Sequence, residues 1–426
     1  MPVAIGHKTR SRAQEIVGVL DIGTSKTVCV IATVPGSGHD GGGRRPGIEV
    51  LGIGSQPTGG LMAGVVTELD AAEQSVRAAV MQAERMAGVV LEDVSLAVAC
   101  RGLRSSTFTA GTAVEERSVD EGDIDRLLEA GRTFAERDGR ALLHMNCISY
   151  RLDDAAEIAD PRGLVGSKLA ADLHAVTVKE APLQNLRQVV ERAYLSPARL
   201  VPAPFASGVA ATTEEERHLG VVAIDLGAGM TTVSMFAQGH LLWNDVVPGG
   251  GGNITADIAR ALAVPTSEAE RIKRECGTLA KTPDGDDQAP FGAPGEGPLL
   301  SHRVELSEVR DVVRGRLVVH LRHVAQRIKA SGLAQYAAHW MVLTGGASLQ
   351  PGLRELAGEV FARPVRLARP TAVPGMPVEF SSPAYAAATG LLLLALDPAA
   401  GVRRDRPGAR AGGYLGRVGQ WLAESF

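Results

Sequence analysis

Two acidic residues stand in matching positions. Val17 to Ala32 reads VGVLDIGTSKTVCVIA and Val221 to Ala237 reads VVAIDLGAGMTTVSMFA, so Asp21 and Asp225 each end an apolar, β-branched run. In each copy a Gly-rich turn and a second apolar run follow, which predicts a strand, a tight turn and a returning strand, written twice. Gly23, Gly227 and Gly229 carry no Cβ, so the backbone there can take positive φ, approach an anion closely and turn N–H groups toward it. Thr24, Ser25, Thr231 and Thr232 add hydroxyl donors, and Lys26 adds a positive charge. Bare carboxylates repel phosphates, so Asp21 and Asp225 fit such a site only with a cation between them and the ligand. Mg²⁺ suits this role because it binds few protein carboxylates and completes its shell with waters and phosphate oxygens. Either copy alone reads equally well as a plain β-hairpin; the duplication points to a polyphosphate and its metal gripped from two sides.

The elements around these turns complete a cleft. Trp340 to Leu349, WMVLTGGASL, predicts a buried strand ending at Gly345, Gly346 and Ala347, followed by a helix over PGLRELAGEVF. Such a turn leaves bare backbone against which a flat nucleoside can lie. ITADIARALAVPTSEAERIKRECG predicts two helices with a Pro break, and on the second Glu270 and Lys273 are neighbours three residues apart. On spacing alone that pair is an ordinary surface ion pair. SSPAYAAATGLLLLAL predicts a small-residue helix packed closely at a hinge, and its Leu run is far short of the ~20 residues of a membrane span. GSGHDGGGRRPG near Gly36 and TPDGDDQAPFGAPGEGP from Thr282 read as loops by composition.

Composition narrows the function classes. A chain of 426 residues suggests two lobes, and 45% hydrophobic against 22% charged residues allows both to bury cores. The balance of 44 basic and 48 acidic side chains, net −4, argues against nucleic-acid binding driven by bulk charge. Cys29, Cys100, Cys147 and Cys276 stand far apart without a CxxC pair, the pattern of buried thiols in a reducing compartment. The opening MPVAIGHKTRSRAQE lacks a signal-peptide apolar core. At the other end, GYLGRVGQWLAESF places Tyr414, Leu415, Val418, Trp421, Leu422 and Phe426 on one side of a helical wheel, with Arg417, Gln420 and Glu424 opposite. The lead VRRDRPGARAGG is basic and broken by Gly and Pro, a tether whose Arg403, Arg404, Arg406 and Arg410 suit anionic lipid. An apolar face with Trp and Phe on a basic tether is the pattern of a helix lying in a membrane interface.

Taken in order, DIGTSK, DLGAGMTT, GGGGNITADIA, EAERIKRECG and LTGGAS resemble the actin-like ATPase superfamily and, within it, the bacterial cell-division family FtsA. The resemblance implies an α/β, two-lobed actin-like fold of duplicated ribonuclease-H-like domains, binding ATP with Mg²⁺. Carried over position by position, it makes Asp21 and Asp225 the metal-facing acids. Gly23, Thr24, Ser25 and Lys26 become the first phosphate loop, and Gly227, Gly229, Met230 and Thr231 the second, with Gly249, Gly250 and Gly251 near the phosphates. Glu270 and Lys273 become ribose contacts, Arg274 packs by the base, and Gly345, Gly346 and Ala347 form the adenosine loop. Relatives place a water-positioning Glu or Gln where LVPAPFASGVAA has Ala203, and use Gly and Thr where this chain has Ala228 and Met230. A methyl group cannot orient water, so at most slow hydrolysis is implied.

The expected division is a disordered 1–12, a lobe-one core (1A) at 13–88 and 179–206, and an α+β insert (1C) at 89–178. A lobe-two core (2A) at 207–251 and 339–397 surrounds a nucleoside-side subdomain (2B) at 252–338. A basic linker (398–412) and an amphipathic membrane-targeting helix (413–426) follow. The insert holds His144 and His174 in isolation, which suits interaction rather than chemistry. The family resemblance implies a protein that polymerises at the division site on the cytoplasmic face of the inner membrane. It would anchor FtsZ filaments through the FtsZ C-terminal peptide on 2B and recruit later division proteins through 1C. A pilus-assembly relative or a sugar-kinase-type ATPase is the alternative within the superfamily. The former should not need the amphipathic tail, and no acidic base for the latter is apparent.

Overall fold

Both acid-tipped runs fold as hairpins. The computed structural model describes residues 14–35, 47–153, 155–279, 288–291, 302–333, 340–396 and 402–403. Lobe one opens with β1 (Gln14–Ile22), β2 (Lys26–Pro35), β3 (Glu49–Pro57), the short pair β4 (Leu61–Met62) and β5 (Val65–Val66), α1 (Leu69–Ala87) and β6 (Asp93–Val98). The insert is β7 (Arg104–Ser118), α2 (Glu121–Ala135), β8 (Arg140–Leu152), β9 (Ala155–Ile158) and β10 (Val165–Lys179). The chain returns through α3 (Glu180–Arg192) and β11 (Ser196–Pro202) to α4 (Ala203–Ala211) and α5 (Glu214–Leu219). Lobe two begins with β12 (Val221–Leu226), β13 (Met230–Ala237), β14 (His240–Pro248), α6 (Gly251–Leu262) and α7 (Thr266–Cys276). It continues with β15 (Gln288–Phe291), β16 (His302–Glu305), α8 (Leu306–Ala330), β17 (Trp340–Thr344), α9 (Leu353–Phe361), β18 (Val365–Leu367) and α10 (Ala386–Ala395), and β19 (Val402–Arg403) follows.

The duplication extends beyond the hairpins. Lobe one has the strand order β3-β2-β1-β6-β11, with β19 on the outer edge, and lobe two has β14-β13-β12-β17-β18. In each, the first three strands are antiparallel and the last two join in parallel. Parallel neighbours need crossover connections, and these crossovers carry α1 and the insert in one lobe and α6 to α9 in the other. The fold is the actin-like α/β architecture expected.

The helix that follows each sheet's fifth strand packs on the opposite sheet. Helix α4 leaves β11 of lobe one and lies on β12, β13 and β14, whereas α10 follows β18 of lobe two and lies on β1, β2 and β6. Leu391, Leu392 and Leu394 of α10 are buried with Val19, Val28 and Val30, so the apolar run is a core helix. Where the two helices cross, a Cβ on Gly390 would stand 1.8 Å from the carbonyl oxygen of Ala206. Only glycine allows that approach, and the small-residue helix packs closely there, as its composition suggested.

Three sequence expectations need correction. Val89 to Val98 does not open the insert: β6 sits between β1 and β11 in the lobe-one sheet. Its half-buried alternation suits either sheet, and only the parallel pairing decides. Within the Gly/Pro-rich stretch from Thr282, Gln288–Phe291 forms a strand paired with His302–Glu305. In the basic linker, Val402 and Arg403 pair with Leu200 and Arg199. The Gly36 loop, residues 1–12 and the tail residues Tyr414, Leu415, Val418, Trp421, Leu422 and Phe426 lie outside the described residues.

The insert sheet, ordered β7-β10-β8-β9, carries α2, which starts at an Asp120–Asp123 capping box. Buried Asp123 also accepts a two-pronged contact from Arg117, at 2.7 and 2.8 Å. A buried polar chain ties the insert to lobe two. The Asn244 N–H of β14 donates to Ser105 Oγ (3.2 Å), Ser105 Oγ lies 2.6 Å from His174 Nε2, and His174 Nδ1 lies 3.2 Å from Asn146 Oδ1. The two histidines are not isolated as the sequence suggested: His144 Nε2 also lies 3.2 Å from Asn146 Oδ1, so both rings meet one amide oxygen inside the insert. Burial, with His144 nearby, lowers His174 from 6.5 to about 3. A depressed folded pKa gives stability that is present above 6.5 and lost as pH falls toward 3. Replacing His174 with Gln should therefore flatten the acid limb of the stability profile, by on the order of 3 kcal/mol between neutral and pH 3, read by urea melts.

Candidate functional site

The two turns are built alike and meet. Gly23 N–H donates to Lys26 O and Gly227 N–H to Met230 O, both at 3.0 Å, closing each turn with the same bond. None of Gly23, Gly227 and Gly229 takes a left-handed φ, contrary to the expectation from their type. Their missing Cβ matters for space instead: a Cβ on Gly227 would stand 2.6 Å from Met230 O, and one on Gly229 would stand 2.7 Å from the side chain of Thr24. The first turn therefore rests against the second across the cleft. Lobe two adds Gly345 at φ 88, where a Cβ would stand 2.2 Å from Asp225 Oδ1. The strand ending at Gly345 is thus brought beside the acid, as its sequence implied.

The acids, one from each lobe, face a common space. Both are half-buried. Loss of hydration raises Asp21 from 3.8 to about 6, against the pull of Lys26. The same cause, with the Asp21 charge second, raises Asp225 to about 7, while Ser207 and Lys26 pull it down. Burial also lowers Lys26, although both carboxylates oppose this and Arg274 adds to it. Lys26 Nζ lies 4.3 Å from the centre of the Tyr385 ring. Sequence reasoning missed Ser207 and Tyr385, which come from the exchanged helix α4 and the turn before α10 and have no local motif.

Strand register separates the hydroxyls. Thr232 pairs with Asp225 across β12 and β13 and so shares its face, whereas Thr231 points the other way. Thr232 Oγ1 is buried without a hydrogen-bond partner. Thr231 Oγ1 instead meets Gly249 O at 3.0 Å and His320 Nε2 at 2.6 Å. The glycine run braces the second turn: Gly249, Gly251 and Gly252 donate N–H bonds to Gly229, Gly227 and Ala228 at 3.0, 2.9 and 2.8 Å. A Cβ on Gly250 would stand 2.2 Å from Gly227 O. Gly250 N–H goes to Asn253 Oδ1, so these N–H groups hold the turn rather than face a ligand. Met230 reaches lobe one: a Cβ on Gly64 would stand 2.5 Å from its terminal methyl.

On the α7 side, Glu270 Oε2 accepts from Lys273 Nζ and Thr255 Oγ1, both at 2.6 Å, and Glu270 Oε1 accepts from Arg274 Nε at 3.0 Å. Lys273 Nζ also reaches Thr255 Oγ1 at 2.8 Å and Gly251 O at 3.2 Å, so the pair is locked to the start of α6 rather than loose at the surface. Ala347 lies close by, a Cβ on Gly251 standing 3.2 Å from its methyl. Gly346 begins the short 3₁₀ turn Gly346–Leu349. Ala203, buried at 5% exposure, starts α4 and carries no polar side chain.

These residues fit a magnesium nucleotide. Two half-buried acids, each raised toward neutrality, need a cation to hold them ionised together, and the unpartnered Thr232 hydroxyl beside Asp225 adds an oxygen.

Comparison with known proteins gives the family. A family profile described as "Cell division protein FtsA" matches residues 222–390, and "SHS2 domain inserted in FTSA" matches 101–177. The chain is 37% identical to the cell division protein FtsA of Agrobacterium fabrum over 98% of its own length and 96% of that protein. It is 30% identical to that of Neisseria meningitidis, over 97% and 99%. This chain belongs to the FtsA family of cell division proteins. The inserted-domain match begins close to β7, in line with β6 belonging to lobe one. Among solved structures, a PilM-PilN type IV pilus biogenesis complex aligns with TM-score 0.64 at 20% identity, covering 90% of this chain and 99% of that one, which shows the shared fold.

Removing one acid tests the cleft. The raised pKa values mean that, without ligand, Asp21 and Asp225 stabilise the fold most below 3.8 and lose that contribution as pH rises through about 6 and 7. Asp225→Asn should therefore raise the melting temperature of the ligand-free protein at pH 8. The same change should weaken Mg-ATP binding more than about tenfold by calorimetry.

Proposed function

We propose that this protein binds Mg-ATP between its lobes and polymerises in the ATP-bound closed state on the cytoplasmic face of the inner membrane, anchoring FtsZ filaments there at the division site. The observation that carries the nucleotide reading is the meeting of Asp21 and Asp225, one from each lobe, with Lys26 close to both. In this reading Asp21, Asp225 and Thr232 hold the metal side, with Mg²⁺ neutralising phosphate charge when bound. Gly23 and Gly227 shape the two turns, the backbones of Thr24, Ser25 and Gly229 take the phosphates with Lys26 beside them, and Met230 packs toward lobe one. Glu270 and Lys273, already oriented by Thr255, take the ribose, with Arg274 beside the base and Gly345, Gly346 and Ala347 beneath the adenosine. A ligand held by both walls favours the closed arrangement by its differential affinity.

Hydrolysis is slow in this scheme because the methyl of Ala203 orients no water. Purified protein should turn ATP over at less than about 10⁻² s⁻¹, in the range of unassisted nucleotide hydrolysis; faster phosphate release would refute this part.

The membrane reading rests on the amphipathic tail and its basic lead. Removing residues 412–426 should abolish co-sedimentation with anionic liposomes while leaving Mg-ATP binding intact. Retained lipid binding would count against the tether. The FtsZ C-terminal peptide is proposed to dock on the 252–338 subdomain, and later division proteins on the insert. A peptide pull-down that depends on the 252–338 surface checks the first of these.

A further inference from the structure

His320 lies on α8, far in sequence from both phosphate turns, and its ring meets the second turn from behind. Thr231 Oγ1 stands 3.0 Å from Gly249 O and 2.6 Å from His320 Nε2. A hydroxyl has one proton and a carbonyl only accepts, so Thr231 donates to Gly249 and His320 Nε2–H donates to Thr231. That order fixes the ring tautomer. Its other nitrogen, Nδ1, faces Gly249, where a Cβ would stand only 3.0 Å away. Burial first, then His323 and Arg316, lower His320 to about 4, which keeps the ring neutral at physiological pH.

The line continues past Thr231. Gly249 N–H donates to Gly229 O at 3.0 Å, and Gly229 is the residue that rests against Thr24 of the first turn. Helix α8 itself is fastened on either side of His320, by Arg316 to Asp257 on α6 and by Arg327 to Asp245 on β14.

We propose that His320 is a positioning residue for the nucleotide: through Thr231 and Gly249 it sets the second phosphate turn to the seat of α8. This rests on the Mg-ATP reading for its purpose, though not for its geometry. Gln can replace the Nε2 donor; Leu fills the space without one.

The test compares His320→Leu, His320→Gln and Thr231→Val in the full chain. Amide hydrogen exchange of the ligand-free protein is followed over 226–231, and Mg-ATP affinity is measured by calorimetry. His320→Leu should speed exchange in the turn and weaken binding about fivefold, the worth of one net hydrogen bond. His320→Gln should stay near wild type in both readouts. In the Thr231→Val background, His320→Leu should add nothing further. Equal behaviour of Leu and Gln, or unchanged exchange in the turn with Leu, would overturn the proposal. If His320→Leu does not fold, Thr231→Val alone must speed exchange in the turn, and unchanged exchange there overturns the proposal. If wild type takes up no Mg-ATP, the nucleotide reading falls and the exchange data alone decide the role of His320.

Discussion

Two like charges must be kept close without a permanent partner between them, and most of the cleft follows from that constraint. Asp21 and Asp225 come from different sheets, so their separation is set by how the lobes meet. Dehydration and mutual repulsion both oppose the ionised pair. Lys26 and Ser207 counter part of this, and both are placed by elements that serve the two lobes at once. Lys26 begins β2 and lies by Tyr385, next to α10; Ser207 belongs to α4. Because α4 and α10 each pack on the other lobe's sheet, shifting one lobe would disturb the polar supports of both acids. The Gly390 contact makes that crossing tight.

Close backbone approach is the second theme. Gly229 against Thr24, Gly250 against Gly227 and Gly345 against Asp225 are all places where a Cβ would collide. The glycine-rich run that looked like further phosphate contacts is a brace, with the N–H groups of Gly249, Gly251 and Gly252 directed to the carbonyls of the second turn. A turn held by backbone bonds on one side and by Thr231 on the other has little freedom left. That is the preorganisation a polyphosphate site requires, since ordering a loose loop on binding would lower affinity.

Local chemistry made part of this legible in sequence. An apolar, β-branched run ending in Asp before a Gly-rich turn, written twice, identified both hairpins, and helix spacing with a Pro break identified α6 and α7. What it missed was long-range. The start of the insert was misplaced because Asp93–Val98 alternates as a strand in either sheet would, and only its parallel pairing with β1 and β11 places it. Gln288–Phe291 lies among Gly, Pro and Asp residues, where composition speaks for a loop, yet pairing with His302–Glu305 overrides it. Thr231 and Thr232 look interchangeable until register puts only Thr232 on the face of Asp225. His320 had no signal at all, since its meaning comes from a contact spanning 89 residues.

The front contacts of the cleft are small. Thr24 meets Gly229, and Met230 meets the turn at Gly64, each the contact of a single side chain. The other end is different, with α10 packing Leu391, Leu392 and Leu394 into the lobe-one core. The lobes thus meet through a packed core at one end and through single side chains at the other, and a ligand gripped by both walls would add its contacts where the protein's own are few. Met230 fits this balance. Its flexible thioether reaches across to Gly64, an apolar contact that a long unbranched side chain can keep while adjusting its own rotamers.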